Sequence, residues 1–332
     1  MTIIEQPRAV GKKGIPREGE GGFSQCWYPV ALSDEIDNGE LVGKEFLDGR
    51  VVVYRGEDGQ ARVHSAYCRH LGADLSVGDV CGNDVRCPFH HWQYGPEGIC
   101  TKIPAGVDRI PSQARLFTFP TVESMGLIWV FNGTEPLYDP PAFPTHSAED
   151  LVFRAHETRR WRVDPYMLLT NSMDFQHLRE LHGMKIDYDP ADIVIDGFQY
   201  EYQVDGELPN FGMLRQHVKC FGNNAITLTM TRRDGSQVLS AFGGTPVPNG
   251  SRGFNVAATV KGSGSAEDEQ RVDRVLGMSE ALITQLQDED APVMDTIRFR
   301  EDVLIEADRA LGKFLRYVRD FPRDHPSDGL IN

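Results

Sequence analysis

Two short Cys/His motifs, separated by sixteen residues, constrain this 332-residue chain more than any other feature. Cys68-Arg69-His70 and Cys87-Pro88-Phe89-His90 each place a thiol and an imidazole on a short loop. Thiolates and imidazoles bind zinc and iron, so the pattern predicts a metal site that joins two loops. A structural zinc ion is one interpretation, although zinc modules more often begin with Cys-x-x-Cys. An iron–sulfur cluster whose two irons take different ligands is the other.

The other cysteines and the N-terminal segment predict a cytoplasmic location. Six cysteines in 332 residues are too few for a disulfide scaffold, which favours a reducing compartment. No run of about 18–20 apolar residues is present, and residues 1–22 lack the apolar core of a signal peptide. The cysteines outside the motifs are expected to be buried free thiols: Cys26, Cys81, Cys100 and Cys220.

The charge balance argues against one class of partner. A formal net charge of −15 leaves no broad basic surface for nucleic acid, because phosphate binding needs clustered Lys and Arg. Arg69 and Arg86 are local exceptions beside the Cys/His motifs. They could dock an acidic electron-transfer protein, and solvated loop arginines are the simpler alternative.

Turn signals and prolines divide the chain into three predicted parts. Residues 1–22 are Gly-rich and are expected to be a flexible leader. Residues 23–148 show short β-runs separated by turn signals such as Asp48-Gly49, which predict an all-β domain. A Pro-rich joint at residues 136–144 separates it from a second domain at residues 149–332.

The second domain is predicted to be an antiparallel sheet flanked by helices, so the whole chain is expected to be α+β. One helix is predicted from Asp164-Pro165, where proline suits the first turn, to about Leu181. Another begins near Ser265, which with Asp268 resembles a capping arrangement, and has apolar residues at three-to-four spacing. Between them, alternating runs and turn signals predict strands at 193–204, 212–219, 224–232, 237–242 and 254–260.

The first predicted helix carries a second group of candidate ligands. On an ideal helix Asp174 and His177 are about 60° apart and share a face, whereas His177 and His182 are about 140° apart. The two imidazoles can therefore meet only if the helix ends or loosens before His182. Gly183 is the residue expected at such an end. By themselves, two histidines near a helix end are more often a surface pair than metal ligands.

Taken together, the two motifs resemble those of the Rieske non-heme iron oxygenases, and the resemblance covers nearly the whole chain. The strings at residues 67–72 and 87–92 are similar to the Rieske motif, in which one iron of a 2Fe–2S cluster takes two thiolates and the other two imidazoles. His91 departs from the small residue or Asp common there. It is either a non-ligand or a competitor of His90, which the spacing favours. The ligands implied are Cys68, His70, Cys87 and His90.

The downstream string Asp-x-x-His-x-x-x-x-His resembles the mononuclear-iron motif of the same family and follows in the expected order. The resemblance implies that His177 and His182 bind Fe(II) with one carboxylate, in a facial triad that leaves positions open for O2 and substrate. That carboxylate is implied to lie on the last long helix, where Asp290 matches. Asp288 and Asp295 are the alternatives.

The resemblance also implies how subunits work together. The chain looks most similar to the 3-ketosteroid 9α-hydroxylase and vanillate O-demethylase types, which are head-to-tail homotrimers. In these, the cluster of one subunit approaches the iron of the next. Asp174 would bridge, bonding His177 in its own subunit and the partner subunit's His90. Asn171 matches an Asn of some members and is included among the catalytic candidates.

The function implied is that of a terminal oxygenase. A separate flavin-dependent reductase, a ferredoxin, or both would pass electrons singly to the cluster. The iron would use them with O2 to hydroxylate a small apolar aromatic or polycyclic, steroid-like substrate. Oxidative O- or N-demethylation is the alternative within the family. A Rieske electron-transfer protein without oxygenase activity is the alternative of another class, but it leaves the second domain unexplained.

Overall fold

The computed structural model describes residues 14–106, 108–209, 211–300 and 303–332. These residues form an α+β fold, mostly antiparallel strands with a few helices, which confirms the predicted class. Residues 1–13 of the predicted leader lie outside the described residues. The domain boundary at residues 148 and 149 stays a prediction.

The N-terminal part consists of short strands, and the Asp48-Gly49 signal lies at one of their hairpins, as expected. The strands are β1 (Phe23–Ser24), β2 (Trp27–Leu32), β3 (Leu41–Phe46), β4 (Gly49–Arg55), β5 (Ala61–Ser65), β6 (Asp79–Cys81), β7 (Asp84–Arg86), β8 (Gln93–Tyr94), β9 (Cys100–Lys102), β10 (Thr118–Phe119), β11 (Thr121–Ser124) and β12 (Leu127–Phe131).

Three antiparallel sheets are built from β2 to β12, and they position the two Cys/His loops. The strand orders are β10-β5-β4-β3, β11-β12-β2 and β6-β7-β8-β9. The first motif lies between β5 and β6, and the second lies between β7 and β8. Because β7 pairs with both β6 and β8, the loops that follow β5 and β7 can approach each other.

The described residues of the C-terminal part form long strands and four α-helices. Its elements are β13 (Leu151–Trp161), α1 (Pro165–Met173), α2 (Phe175–Glu180), β14 (Lys185–Ile186), β15 (Val194–Asp196), β16 (Gln199–Leu208), β17 (Gly212–Phe221), β18 (Ala225–Arg232), β19 (Gln237–Val247), β20 (Gly250–Val260), α3 (Ala266–Met294), α4 (Arg309–Asp320) and β21 (Arg323–Asp324). Short 3-10 turns lie at Ser33–Glu35, Leu75–Val77, Ala148–Asp150, Pro190–Asp192 and Glu306–Asp308.

One antiparallel sheet dominates this part, in the order β13-β20-β19-β18-β17-β16-β14, with β15 pairing β16. Residues of β16 alternate between buried and more exposed, because successive side chains of a strand point to opposite faces. The predicted strand 193–204 is instead two paired strands that turn at Gly197, whose φ is +54°. The edge strand β13 was not predicted, because polar residues dominate it.

The helix predicted from Asp164-Pro165 to about Leu181 is wrong as a single helix. Asp174 has extended backbone angles and separates α1 from α2. Its side chain accepts a hydrogen bond from the His177 backbone N–H, which caps α2. The cap at the start of α3 is confirmed, since Ser265 Oγ accepts from the Asp268 N–H at 3.2 Å. None of the described helices has both the length and the apolar character needed to cross a membrane.

The N-terminal and C-terminal parts share one apolar core. Trp27 and Trp129 from the first part pack with Leu239, Phe254 and Val256 from β19 and β20. The two parts also meet where β1 pairs with β21. The two parts are therefore joined by apolar side-chain packing as well as by the polypeptide chain.

A buried ion pair lies beside the β1–β21 pairing. Arg323 Nη2 lies 3.2 Å from Glu18 Oε2, and the two side chains are 9% and 4% exposed. Ser24 donates to the same carboxylate through its N–H and its hydroxyl. Burial raises the pKa of Glu18, and the Arg323 charge opposes that rise. This part of the predicted leader therefore packs on the fold.

Arg323→Ala should leave the Glu18 carboxylate buried without its cation. Removing one partner of a buried pair costs about 3–5 kcal/mol, whereas an exposed pair contributes about 0–1 kcal/mol. Urea denaturation should therefore show a large loss of unfolding free energy in Arg323→Ala. Arg215→Ala, which breaks an exposed pair with Asp205, is the matched control. Equal losses in the two variants would contradict this view of the Glu18 contact.

Candidate functional site

The two Cys/His loops place their thiols inside and their imidazoles outside. Cys68 and Cys87 are 3% and 1% exposed, whereas His70 and His90 lie at the surface. The two imidazole rings meet edge to face, with centroids 4.7 Å apart and an interplanar angle of 67°. This arrangement suits a 2Fe–2S cluster with one iron held by thiolates below and the other by imidazoles at the surface.

Both loops close by the same backbone turn. The Gly72 N–H donates to the Cys68 carbonyl at 2.9 Å, and the His91 N–H donates to the Cys87 carbonyl at 3.1 Å. Gly72 and His91 both have positive φ, +76° and +58°. His91 therefore takes in its loop the left-handed position that Gly72 takes in the other, at a cost of about 1 kcal/mol for a residue with a Cβ. This backbone role accounts for His91 without making it a ligand.

Aromatic side chains surround the cluster loops. Trp92 stacks on His70 with centroids 4.6 Å apart and an interplanar angle of 5°. The Tyr94 hydroxyl lies 3.2 Å from Cys68 Sγ and accepts a hydrogen bond from the Arg69 N–H. Burial raises the pKa of the Cys68 thiol, and the Tyr94 hydroxyl opposes that rise. Tyr94 is thus placed to hydrogen-bond a cluster sulfur ligand.

The remaining cysteines and the loop arginines differ in their surroundings. None of the six cysteines forms a disulfide; Cys26, Cys100 and Cys220 are buried as expected, whereas Cys81 is half-buried. Arg86 forms an ion pair with Asp79 on the neighbouring strand β6, so part of its charge is already neutralised. Arg69 is exposed beside His70 and remains available at the surface.

The second candidate site joins α2, the loop that follows it and α3. His177, His182 and Asp290 bring one ligand atom each to within 4.8 Å of one another. Asp290 Oδ1 lies 3.2 Å from His177 Nε2 and 3.1 Å from His182 Nε2. His177 Nε2 and Asp290 Oδ1 are nevertheless buried atoms without a hydrogen bond of acceptable geometry in the described structure. Two imidazoles and one carboxylate fit a metal such as iron, which would satisfy these atoms.

The break in the predicted helix makes this convergence possible. Because α2 starts anew at Phe175 and ends at Glu180, His182 lies beyond the helix, as the spacing required. Gly183 follows with φ +65°. The imidazole rings of His177 and His182 then lie nearly perpendicular, with centroids 4.7 Å apart. The Tyr202 hydroxyl donates to the Ser172 carbonyl near the end of α1.

A set of polar contacts orients the three candidate ligands. Asn171 Nδ2 donates to Asp290 Oδ2 at 2.7 Å, so one carboxylate oxygen is held while the other faces the histidines. Burial raises the pKa of Asp290, but the nearby imidazoles of His177 and His182 outweigh it and bring the pKa to about 2. On the far side of His182, Nδ1 lies 2.6 Å from Glu289 Oε2. A carboxylate in this position fixes the imidazole so that Nε2 faces a metal.

Glu289 is the residue that the motif alone did not identify. It precedes Asp290 on α3 and also accepts from Gln285 Nε2 at 2.9 Å. The sequence alone does not predict the contact between Glu289 and His182. This contact depends on where the chain after α2 places His182. Its carboxyl has a lowered pKa, because Gln285 and His182 stabilise the charged form.

The rival carboxylates lie elsewhere. Asp288 is exposed on α3, and Asp295 pairs with Arg159. Asp174 lies next to the site as the α2 cap, bonded at 2.9 Å to the His177 backbone N–H. A bond from Asp174 to a neighbouring subunit stays a prediction, and so do the roles assigned to all the candidate ligands.

A cavity of about 150 Å3 opens beside the three ligands. Its other walls are mainly apolar and come from β13, α1, α2, β18, β19 and α3. Trp161, Ile226, Phe242 and Met294 are among them. An apolar cavity with a few polar groups is typical of a small-molecule site.

Comparison with known proteins identifies the type of domain that the N-terminal part contains. The family model of the Rieske [2Fe-2S] domain matches residues 26–120, which include all four candidate cluster ligands. The chain therefore contains a Rieske domain, and a 2Fe–2S cluster is its cofactor.

Curated relatives match over part of the chain. Cholesterol 7-desaturase nvd of Bombyx mori is 35% identical over 193 residues, covering 56% of this chain and 40% of that protein. The 3-ketosteroid-9-alpha-monooxygenase oxygenase component of Rhodococcus rhodochrous is 38% identical over 119 residues, covering 36% and 31%. The iron-sulfur subunit TsaM1 of the Comamonas testosteroni toluene-4-sulfonate monooxygenase system is 29% identical over 176 residues, covering 50% and 48%. The matches thus span less than half the length of each relative.

Solved structures share the fold over most of the chain. NdmB of Pseudomonas putida CBB5 aligns with a TM-score of 0.72 and 22% identity, covering 89% of this chain and 90% of that one. Dicamba monooxygenase bound to dicamba aligns with a TM-score of 0.68 and 21% identity, covering 90% and 97%. These likenesses show that the chain shares the fold of these proteins, and the family match shows that it contains a Rieske domain.

Tyr94→Phe should lower the midpoint potential of the cluster. Hydrogen bonds to ligand sulfurs stabilise the more negative reduced state. Loss of one such bond, about 1 kcal/mol, corresponds to a fall of about 40 mV for one electron. A redox titration followed by electron paramagnetic resonance measures this change. Tyr67→Phe, next to Cys68, is the control and should stay within about 10 mV of the wild type. An unchanged potential in Tyr94→Phe would exclude the contact with Cys68.

Proposed function

We propose that this chain is the terminal oxygenase of a multicomponent monooxygenase. It takes electrons from a separate flavin-dependent reductase, a ferredoxin, or both. With O2 it hydroxylates a small apolar organic substrate, aromatic or steroid-like. The observation that carries the proposal is the meeting of His177, His182 and Asp290 beside an apolar cavity, in a chain that also contains a Rieske domain.

The three residues would hold a mononuclear Fe(II). When bound, such an ion supplies O2 activation, because two imidazoles and one carboxylate leave coordination positions open. Asn171 holds one Asp290 oxygen and leaves the other facing the histidines. Glu289 keeps the His182 Nε2 atom directed at the same point. The apolar walls keep bulk water away from the reacting carbon.

Electron delivery is proposed to cross between subunits of a homotrimer. His70 and His90 lie at the surface of the Rieske domain, where a neighbouring subunit can reach them. Asp174 is partly exposed beside the second site and is proposed to bond the partner subunit's His90. The exposed Arg69 beside His70 is proposed to contribute to docking of the acidic electron donor. A cytoplasmic location, expected from the sequence, stays a prediction.

Hydroxylation and its alternatives can be distinguished by their reaction products. Oxidative O- or N-demethylation uses the same centres and releases formaldehyde, whereas ring hydroxylation does not. A pure electron carrier would use the Rieske domain alone and would leave the buried His177 and Asp290 atoms without a function. We favour hydroxylation.

The proposal is tested by O2 uptake and product mass with a generic reductase and a panel of substrates. Asp290→Asn should lower O2-dependent product formation about 100-fold or more, because loss of an oriented ligand exceeds the effect of a supporting residue. Its cluster absorbance should stay unchanged. Asp288→Asn is the matched control on the same helix and should keep wild-type activity. The ligand assignment would be overturned if Asp288→Asn lost activity while Asp290→Asn kept it.

Asp174→Asn tests the electron path separately. Asparagine caps a helix about as well as aspartate, so α2 and both metal centres should be retained. We expect coupled turnover to be lost because the amide cannot replace the negative bridge to an imidazole. Asp189→Asn, which changes another capping aspartate, is the control. Full activity in Asp174→Asn, measured as product formed per O2 consumed, would refute the bridge.

A further inference from the structure

The cavity beside the candidate iron ligands is small. Its volume is about 150 Å3. An engineered protein cavity of this size, lined by Leu, Ile and Phe, binds benzene. Larger ligands occupy sites of about 300–1,000 Å3. The space therefore matches one ring and does not match the four fused rings of a sterol.

One wall of the cavity is formed by the sheet, through Ile226 on β18 and Phe242 on β19. The Phe242 ring on β19 lies against Gly244 and Gly253. A Cβ at Gly253 would lie 2.9 Å from Phe242 Cε2 and 2.5 Å from Thr158 Oγ1. The ring thus already occupies the space that two glycines leave free, and it cannot move further into the sheet. Phe242 therefore limits the space available on this side of the cavity.

The cavity offers no cation to an anionic ligand. None of the described residues that line it is Lys or Arg. The carboxylates of Asp290 and Glu289 balance the two positive charges of a ferrous ion held there. A carboxylate or sulfonate that entered this cavity would lose its hydration shell without gaining a cationic partner. Burying such an unpaired charge costs free energy. Neutral ligands are favoured.

Gln287 offers a polar contact beside the apolar walls, in addition to Ser172 and to Asn171, which is bonded to Asp290. Gln287 lines the cavity and exchanges two hydrogen bonds with the fully buried Asn255, at 2.9 and 3.0 Å. This pairing fixes the Gln287 amide and leaves it one further N–H and one further lone pair. A hydroxyl, carbonyl or amide on the ligand can use both.

We propose that the substrate is a neutral molecule with one substituted ring and one hydrogen-bonding group. This inference rests on the proposed function, since it takes the cavity as the substrate site of the candidate iron centre. It departs from the sterol and ketosteroid compounds in the names of the curated relatives. Phe242 limits the space available to the ligand, and Gln287 binds the polar group.

Calorimetric titration of the anaerobic holoprotein tests the proposal with three probes. Benzyl alcohol has the proposed size and polarity, benzoate adds a negative charge at the same size, and androst-4-ene-3,17-dione adds three rings. We expect saturable binding of benzyl alcohol, binding of benzoate that is about tenfold or more weaker, and no saturable binding of the steroid. Steroid or benzoate binding as tight as that of benzyl alcohol would overturn the proposal, and so would the absence of benzyl alcohol binding.

Substitutions test whether Phe242 and Gln287 determine which ligands bind. Phe242→Ala should bind 2-naphthalenemethanol about tenfold tighter than the wild type, and Phe242→Leu, a milder change, should shift in the same direction if Phe242→Ala does not fold. Phe153→Ala is the matched control, because this half-buried ring stacks on Phe143 outside the cavity. Gln287→Leu should weaken benzyl alcohol binding about tenfold. Unchanged binding in both the Phe242 and Gln287 variants would overturn the assignment of the cavity.

Iron analysis and O2 uptake on the same samples separate this inference from the proposed function. Steroid binding with steroid turnover in iron-loaded protein would overturn the substrate class and support the oxygenase. Benzyl alcohol binding in protein that holds cluster iron alone would support the ligand class and overturn the oxygenase.

Discussion

The structure depends most on the meeting of two imidazoles at one carboxylate oxygen. A straight helix would hold His177 and His182 about 140° apart, yet both lie within 3.2 Å of Asp290 Oδ1. The chain reaches this arrangement by breaking the helix at Asp174 and ending it before His182. Two of the three ligand atoms stay buried without hydrogen bonds of acceptable geometry. Such an arrangement is costly without a metal, which favours a metal as the reason for it.

The rest of the fold holds this site and the two Cys/His loops in one structure. The N-terminal sheets hold the cluster loops with imidazoles outward, so that the end of the cluster nearest the surface can meet a partner. The long antiparallel sheet and α3 supply the carboxylates and the cavity walls. A shared apolar core and the buried contact of Glu18 with Arg323 join the two parts. Under the proposed function, one chain would divide electron storage and substrate oxidation between these two sites.

The fold class was predicted from local turn signals and strand patterns. The ligand set of His177, His182 and Asp290 was implied by the resemblance to Rieske oxygenases, since Asp290 is distant in sequence from the two histidines. Sequence reasoning missed what depends on distant packing. A single helix was predicted across Asp174, since propensity gives no sign that its side chain caps a new helix. The edge strand β13 lacks the alternation that predicts a strand. The Glu289 contact and the Phe242 wall depend on tertiary positions that no single-sequence pattern encodes.

The most direct test of two separate iron centres in one chain is anomalous X-ray diffraction at the iron edge from crystals of anaerobically purified protein. The account predicts two sites per chain: a strong one between the Cys68 and Cys87 loops, and a weaker one among His177, His182 and Asp290. Zinc scattering at both places, or no anomalous peak between the two histidines and Asp290, would contradict it.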